Sequence, residues 1–176
     1  NLNPFSTFAV ELARNMNGGL TKANLAMAED TVSSKLNSGL LTLVGTGTVD
    51  TLIDASNLAE IIKASETLGE TVRRVRDLQN STGRSASGNV VVKSVAADLV
   101  DGVIDGVGLQ SVDGRIAALT TVVSTLTLLE SMQNELHVNG QDATAAMESA
   151  MNAVSPNGST RTFEDLVSSA EMLEAT

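Results

Sequence analysis

The stretch V-A-A-D-L-V-D-G-V-I-D-G-V-G-L-Q-S-V-D-G-R-I-A-A-L, residues 95–119, decides the fold. Val92, Val95, Ala96, Leu99 and Val103 recur at helical spacing, and the glycines at 102, 106 and 108 then break that helix. Ser111 or Asp113 caps a new start, and Ile116, Leu119, Val122, Val123, Leu126, Leu129, Met132 and Leu136 mark a long helix behind it. H-V-N-G-Q-D-A-T-A-A-M-E-S-A-M comes next at 137–151: Asn139-Gly140 turns the chain, and Asp142 caps a helix from Ala143 to Val154. Helix, glycine break, long helix, turn, helix is the grammar of an all-α chain.

The same grammar extends to both ends. Asn3 is a good helix cap, and Pro4 at the first helical position gives up no needed N–H. Phe5, Phe8, Ala9, Leu12 and Met16 share one face, and Asn17-Gly18-Gly19 closes the helix. Thr21 caps the next helix, with Leu20 and Leu25 placed as a hydrophobic staple. Leu25, Ala28, Val32 and Leu36 run to a stop at Asn37-Ser38-Gly39, completing a helical hairpin. Residues 40–53 read as loop, and Ser56–Gln79 carries the clearest helical period, with Leu58, Ile61, Ile62, Leu68, Val72, Val75 and Leu78. A polar loop covers 80–88, and a last helix spans Glu164–Ala175. The expectation is about seven helices in an irregular antiparallel bundle, forming one domain over 1–176 that is a segment of a longer protein.

Composition narrows the function. Only 2% of the 176 residues are aromatic, three Phe and no Tyr or Trp, so aliphatic side chains must build the core. The net charge of −10 repels nucleic acid and anionic lipid, both of which demand a basic surface. No apolar run approaches the roughly 18 residues of a membrane span, so direct membrane insertion is not expected. With no cysteine, disulfide scaffolds, thiolate metal sites and cysteine nucleophiles all fall away.

Candidate chemistry is sparse. Asp98, Asp101 and Asp105 stand at i, i+3 and i+7, so a continuous helix would align three carboxylates on one face, with Asp113 nearby. Together they form a candidate calcium site, since Ca²⁺ takes six to eight oxygen ligands. Their spacing is not that of an EF-hand loop. The competing reading is that they solvate a helix end. No other cofactor is indicated. The single histidine, His137, cannot make a two-histidine metal site, and its place at the end of the long helix suits a cation against the helix dipole. Gly83-Arg84-Ser85-Ala86-Ser87-Gly88 fails the nucleophile-elbow pattern, because Ser87 stands where the second glycine belongs. Arg73, Arg74 and Arg76 are the densest cations. Glu70 sits four residues before Arg74 in the stabilising order, on what reads as a solvated face. The methionines read as core. No enzymatic activity is expected, because the usual acid–base and nucleophilic side chains are nearly missing.

The opening N-L-N-P-F-S-T-F-A-V-E-L-A and G-G-L-T-K-A-N-L-A-M-A are followed by A-A-D-L-V-D-G-V-I-D-G-V-G, D-G-R-I-A-A-L and V-N-G-Q-D-A-T-A-A-M. In that order they resemble a helical domain of large proteobacterial cell-surface and secreted proteins, often lipoproteins. In those proteins the domain comes after an immunoglobulin-like or carboxypeptidase-regulatory-like module. The resemblance covers most of the chain and departs at His137, where an aromatic is expected. It implies a non-enzymatic, extracytoplasmic structural or interaction module that meets a protein partner or its own copies. The residues leave two alternatives open: a bundle binding a small apolar ligand between its helices, and a subunit of a secreted filament or assembly.

Overall fold

The computed structural model describes residues 3–36, 58–108, 113–132, 137–138 and 141–142. Within them the chain is all-α apart from one two-residue strand pair. The helices are α1 (Pro4–Asn15), α2 (Lys22–Leu36), α3 (Leu58–Ser81), α4 (Gly88–Asp98) and α5 (Gly114–Met132). A single 3-10 turn, Leu99–Asp101, extends α4. Strands β1 (His137–Val138) and β2 (Gln141–Asp142) pair antiparallel, His137 opposite Asp142 and Val138 opposite Gln141. The helices expected over 143–154 and 164–175, and the loop expected over 40–53, lie outside the described residues.

Local chemistry sets the helix ends. At α1 the Asn3 side chain accepts from the Ser6 N–H at 2.8 Å while Ser6 Oγ accepts from the Asn3 N–H at 3.0 Å, a reciprocal capping box behind Pro4. Thr21 Oγ1 accepts from the Asn24 N–H at 3.1 Å and so caps α2. Asn24 Nδ2 in turn donates to the carbonyls of Asn17 (2.9 Å) and Gly19 (2.7 Å), fastening the α1–α2 turn. Of the pair expected as a staple, Leu20 is half exposed and Leu25 is partly buried against the core. Ser87 caps α4 through the Val90 N–H, and Asp113 caps α5 by accepting from the Arg115 N–H at 3.0 Å.

The core lies where α1 packs on α2 and α4. Phe5, Phe8, Leu12, Val32, Val91, Val95 and Leu99 are almost fully buried there, joined by Ile61, Leu68 and Val75 of α3. Burying each such side chain contributes on the order of 1.5–3 kcal/mol, so this cluster supplies most of the driving force for folding. Two expectations about side chains need correction. Met27, expected in the core, is 60% exposed. His137, expected in the last turn of the long helix, is in β1 instead. Its carbonyl accepts a hydrogen bond from Arg74 of α3, and its backbone also hydrogen-bonds the Glu130 carboxyl of α5. Helix α5 itself is described to Met132.

Candidate functional site

The aspartate signature is the first place to look, and it is built as a clasp. The continuous helix needed to align Asp98, Asp101 and Asp105 is not there. The α-helix ends at Asp98, the 3-10 turn takes over, and Gly102 adopts a left-handed φ of 87° that reverses the chain. Asp98 is wholly buried, and both its oxygens lie 3.0 Å from the Gly106 N–H, which donates to them. Gly106 itself has φ 84°, and a Cβ there would stand 2.9 Å from the Gly114 Cα. The loop therefore crosses the first turn of α5 backbone against backbone, a crossing only glycine allows.

Each remaining aspartate serves its own turn. Asp101 Oδ1 accepts from the Val103 N–H (3.0 Å), and Asp105 Oδ1 from the Val107 N–H (2.9 Å). Asp113 caps α5 and accepts from Arg84 Nη1 at 3.2 Å. Among the described residues, no three Asp, Glu or His side chains group in a way that could hold a metal ion. The reading of these aspartates as solvating a helix end also needs correction for Asp98, which faces the interior. Burial pushes its carboxyl above the ordinary range. The Gly106 N–H opposes that rise, while the nearby Asp105 and Asp101 charges add to it.

A second polar cluster joins α3 to α5. Thr67 Oγ1 donates to Ser131 Oγ at 3.1 Å, and Thr71 Oγ1 lies 2.8 Å from Thr127 Oγ1; all four residues are buried. As numbering rises along α3 it falls along α5, so this helix pair runs antiparallel. Beside the hydroxyls, Arg74 Nε donates to Glu70 Oε1 (2.8 Å), while Nη1 and Nη2 reach the two oxygens of Glu130 (2.9 and 2.8 Å). Nη2 also donates to the His137 carbonyl at 2.9 Å, which ties β1 to the same guanidinium. Arg73 Nε holds the other oxygen of Glu70 at 2.8 Å.

The Glu70–Arg74 spacing is legible in the sequence, but its setting is not. Glu70 is buried, and Arg74 bridges two helices where a solvated face was expected. The bidentate bond to Arg74 holds the Glu130 carboxyl below its ordinary range, and Glu130 raises the Arg74 guanidinium in turn. These hydroxyls and carboxylates are partnered within α3 and across to α5.

Among the described residues, an open concavity lies elsewhere. A groove of about 450 Å³ lies between the first turns of α1 and α4 and the middle of α3, walled by Pro4, Phe8, Gly69, Val72, Ser87 and Val92. None of its lining residues is charged, on a chain of net charge −10. Gly69 opens its floor: a Cβ there would meet only Arg73 Nη1 at 3.8 Å and Pro4 Cγ at 3.9 Å. A more enclosed void between Phe8, Leu68, Val91 and Thr120 has about 40 Å³, room for a few waters. An apolar ligand the size of benzene needs a cavity nearer ~150 Å³. No sequence pattern marks the groove, because its walls come from three helices and its floor is a missing side chain.

No protein-family model matches the chain, and neither a similar curated protein nor a similar solved structure was found.

Proposed function

We propose that the chain is a non-enzymatic, extracytoplasmic structural or interaction module of a bacterial surface protein, with its helices arranged as an irregular antiparallel bundle of about seven. The observation that carries the interaction reading is the α1–α3–α4 groove, open to the outside and walled by neutral side chains. Its volume falls in the range of sites that take one small apolar group, and a partner's protruding side chain is such a group. The capped first turns of α1 and α4 hold the walls rigidly, so little ordering entropy opposes docking. The extracytoplasmic placement rests on the sequence resemblance and agrees with an acidic, cysteine-free chain.

One experiment in the source bacterium tests both parts. The full-length protein, with a photo-crosslinking residue at Asn89 beside the groove, is labelled on intact cells with a membrane-impermeant biotin reagent and then irradiated. The expected result is surface labelling together with a discrete crosslinked species that disappears in Gly69→Leu, which fills the groove from an open position. Labelling only after lysis, or a crosslink indifferent to Gly69→Leu, overturns the reading.

A further inference from the structure

Helix α5 turns Ile116, Ala117, Thr120, Val123, Thr127 and Ser131 inward. Two of the three hydroxyls in that set have partners on α3: Thr127 Oγ1 lies 2.8 Å from Thr71 Oγ1, and Ser131 Oγ accepts from Thr67 Oγ1 at 3.1 Å. Thr120 is the exception. Only 4% of it is exposed, and its Oγ1 is buried with no hydrogen-bond partner in the protein. Nor does it fall back on its own helix. Thr121, Thr125 and Thr127 each donate to the carbonyl four residues earlier, and Thr120 does not. A buried hydroxyl left unpaired forfeits its hydration with nothing in return.

Thr120 stands on the wall of the smaller, more enclosed void, the one of about 40 Å³, together with Thr67, Thr71 and Ser124. Each hydroxyl has one proton and two lone pairs. Thr67 Oγ1 has the Lys63 carbonyl at 2.7 Å and Ser131 Oγ at 3.1 Å to receive its proton. Thr71 Oγ1 has the Thr67 carbonyl at 2.9 Å and Thr127 Oγ1 at 2.8 Å, and Ser124 Oγ donates to the Thr121 carbonyl at 3.1 Å. These three protons are engaged, while a lone pair stays open on each oxygen. The hydroxyls around the void therefore offer one free donor, Thr120, and several free acceptors.

That inventory selects the guest. A guest must accept once and donate at least once, in a space far below the ~150 Å³ that a benzene-sized molecule occupies. A cation finds no carboxylate on the wall and meets the ammonium of Lys35 there. An anion would face the open lone pairs. Water satisfies every condition: it needs only about 10–15 Å³ and two to four polar partners.

We propose that this void is an internal hydration site, in which an ordered water accepts a hydrogen bond from Thr120 Oγ1 and donates to a hydroxyl oxygen of Thr67, Thr71 or Ser124. The water adds a mediated link to the two direct ones, so all three inward hydroxyls of α5 are joined to their surroundings. A bridging water of this kind is nearly as favourable as a direct bond.

Oxygen-17 relaxation dispersion on the intact chain tests the proposal, because it counts long-lived internal waters without interference from exchanging hydroxyl protons. Thr120→Val keeps the shape of the side chain and offers no hydrogen bond; Thr120→Ser keeps the hydroxyl. The expected count falls by at least one water in Thr120→Val and holds at the parent value in Thr120→Ser. An unchanged count in Thr120→Val, or an equal fall in both variants, overturns the proposal. A high-resolution crystal structure of the parent chain is the second reading. It is expected to show a density peak in the void about 2.8 Å from Thr120 Oγ1 and within hydrogen-bond distance of a second hydroxyl. A void without such a peak, or a Thr120 hydroxyl turned onto the Ile116 carbonyl, contradicts it.

Discussion

Helix α3 is held by opposite means on its two sides. Toward α1 and α4 it presents Ile61, Ala64, Leu68 and Val75 to a core of phenylalanine, leucine and valine. Toward α5 it presents Thr67, Thr71, Glu70 and Arg74, each with a named partner. The apolar side supplies stability without demanding one register, since aliphatic side chains tolerate sliding and repacking. The polar side contributes little net free energy, but its cross-helix bonds, Thr67–Ser131, Thr71–Thr127 and Arg74–Glu130, form in one register only, so a slip loses all of them together. The division of labour between these two sides is the organising feature of the described fold.

Variants that attack each side break the comparison in different ways. The largest effect is expected on the apolar side: Phe8→Ala removes a buried ring and costs about 3–5 kcal/mol, read as the shift in a urea unfolding midpoint. Next comes the hydroxyl ladder. Thr71→Val leaves Thr127 without its cross-helix partner and costs about 1–2 kcal/mol by the same measurement. Glu130→Gln weakens a partly exposed ion pair, and after allowance for solvent screening it costs about 0.5–1 kcal/mol, a difference that shrinks as salt is added.

Stability as a function of pH separates the clasp from the seam. The lowered Glu130 carboxyl contributes stability that is present above its unfolded value and lost as pH falls through its folded value. Glu130→Gln therefore flattens the acid limb of the stability curve. Asp98 has the reverse sign. Its raised carboxyl contributes most below its unfolded value, and that contribution declines as pH rises through the folded value. Asp98→Asn keeps an acceptor for the Gly106 N–H and removes this decline, so its stability relative to the parent chain rises as pH rises above the ordinary carboxylate range. Thermal melts across pH distinguish the two; both variants bending the same limb would contradict the assignment.

The features legible in the sequence are local ones. Asn3-Pro4, Thr21 and Asp113 announce helix starts because capping involves residues two or three apart. Gly102 and Gly106 announce the break because their backbone angles are closed to most other residues. Glu70 and Arg74 announce a pair because four residues make about one helical turn. Arg74 with Glu130, and Thr71 with Thr127, are 56 residues apart, and no local period encodes such a meeting. Helix α5 has little amphipathic pattern, so periodicity cannot say which face turns inward, and the residues that do are Ile116, Ala117, Thr120, Val123, Thr127 and Ser131. The aspartates mislead for the same reason: their spacing promises one helical face, and the intervening glycine redirects Asp101 and Asp105 each to a backbone N–H of its own turn.

The claim that the polar seam sets the register of α3 against α5 is tested most directly by a double-mutant cycle on Thr71→Val and Thr127→Val. If the seam sets the register, the two single variants each lose stability. The double variant, with an apolar pair of the same shape, then returns to within about 0.5 kcal/mol of the parent chain. The coupling energy is expected at about 1–3 kcal/mol. Strictly additive losses, with no coupling, would show that the two hydroxyls act only within their own helices and would contradict the claim.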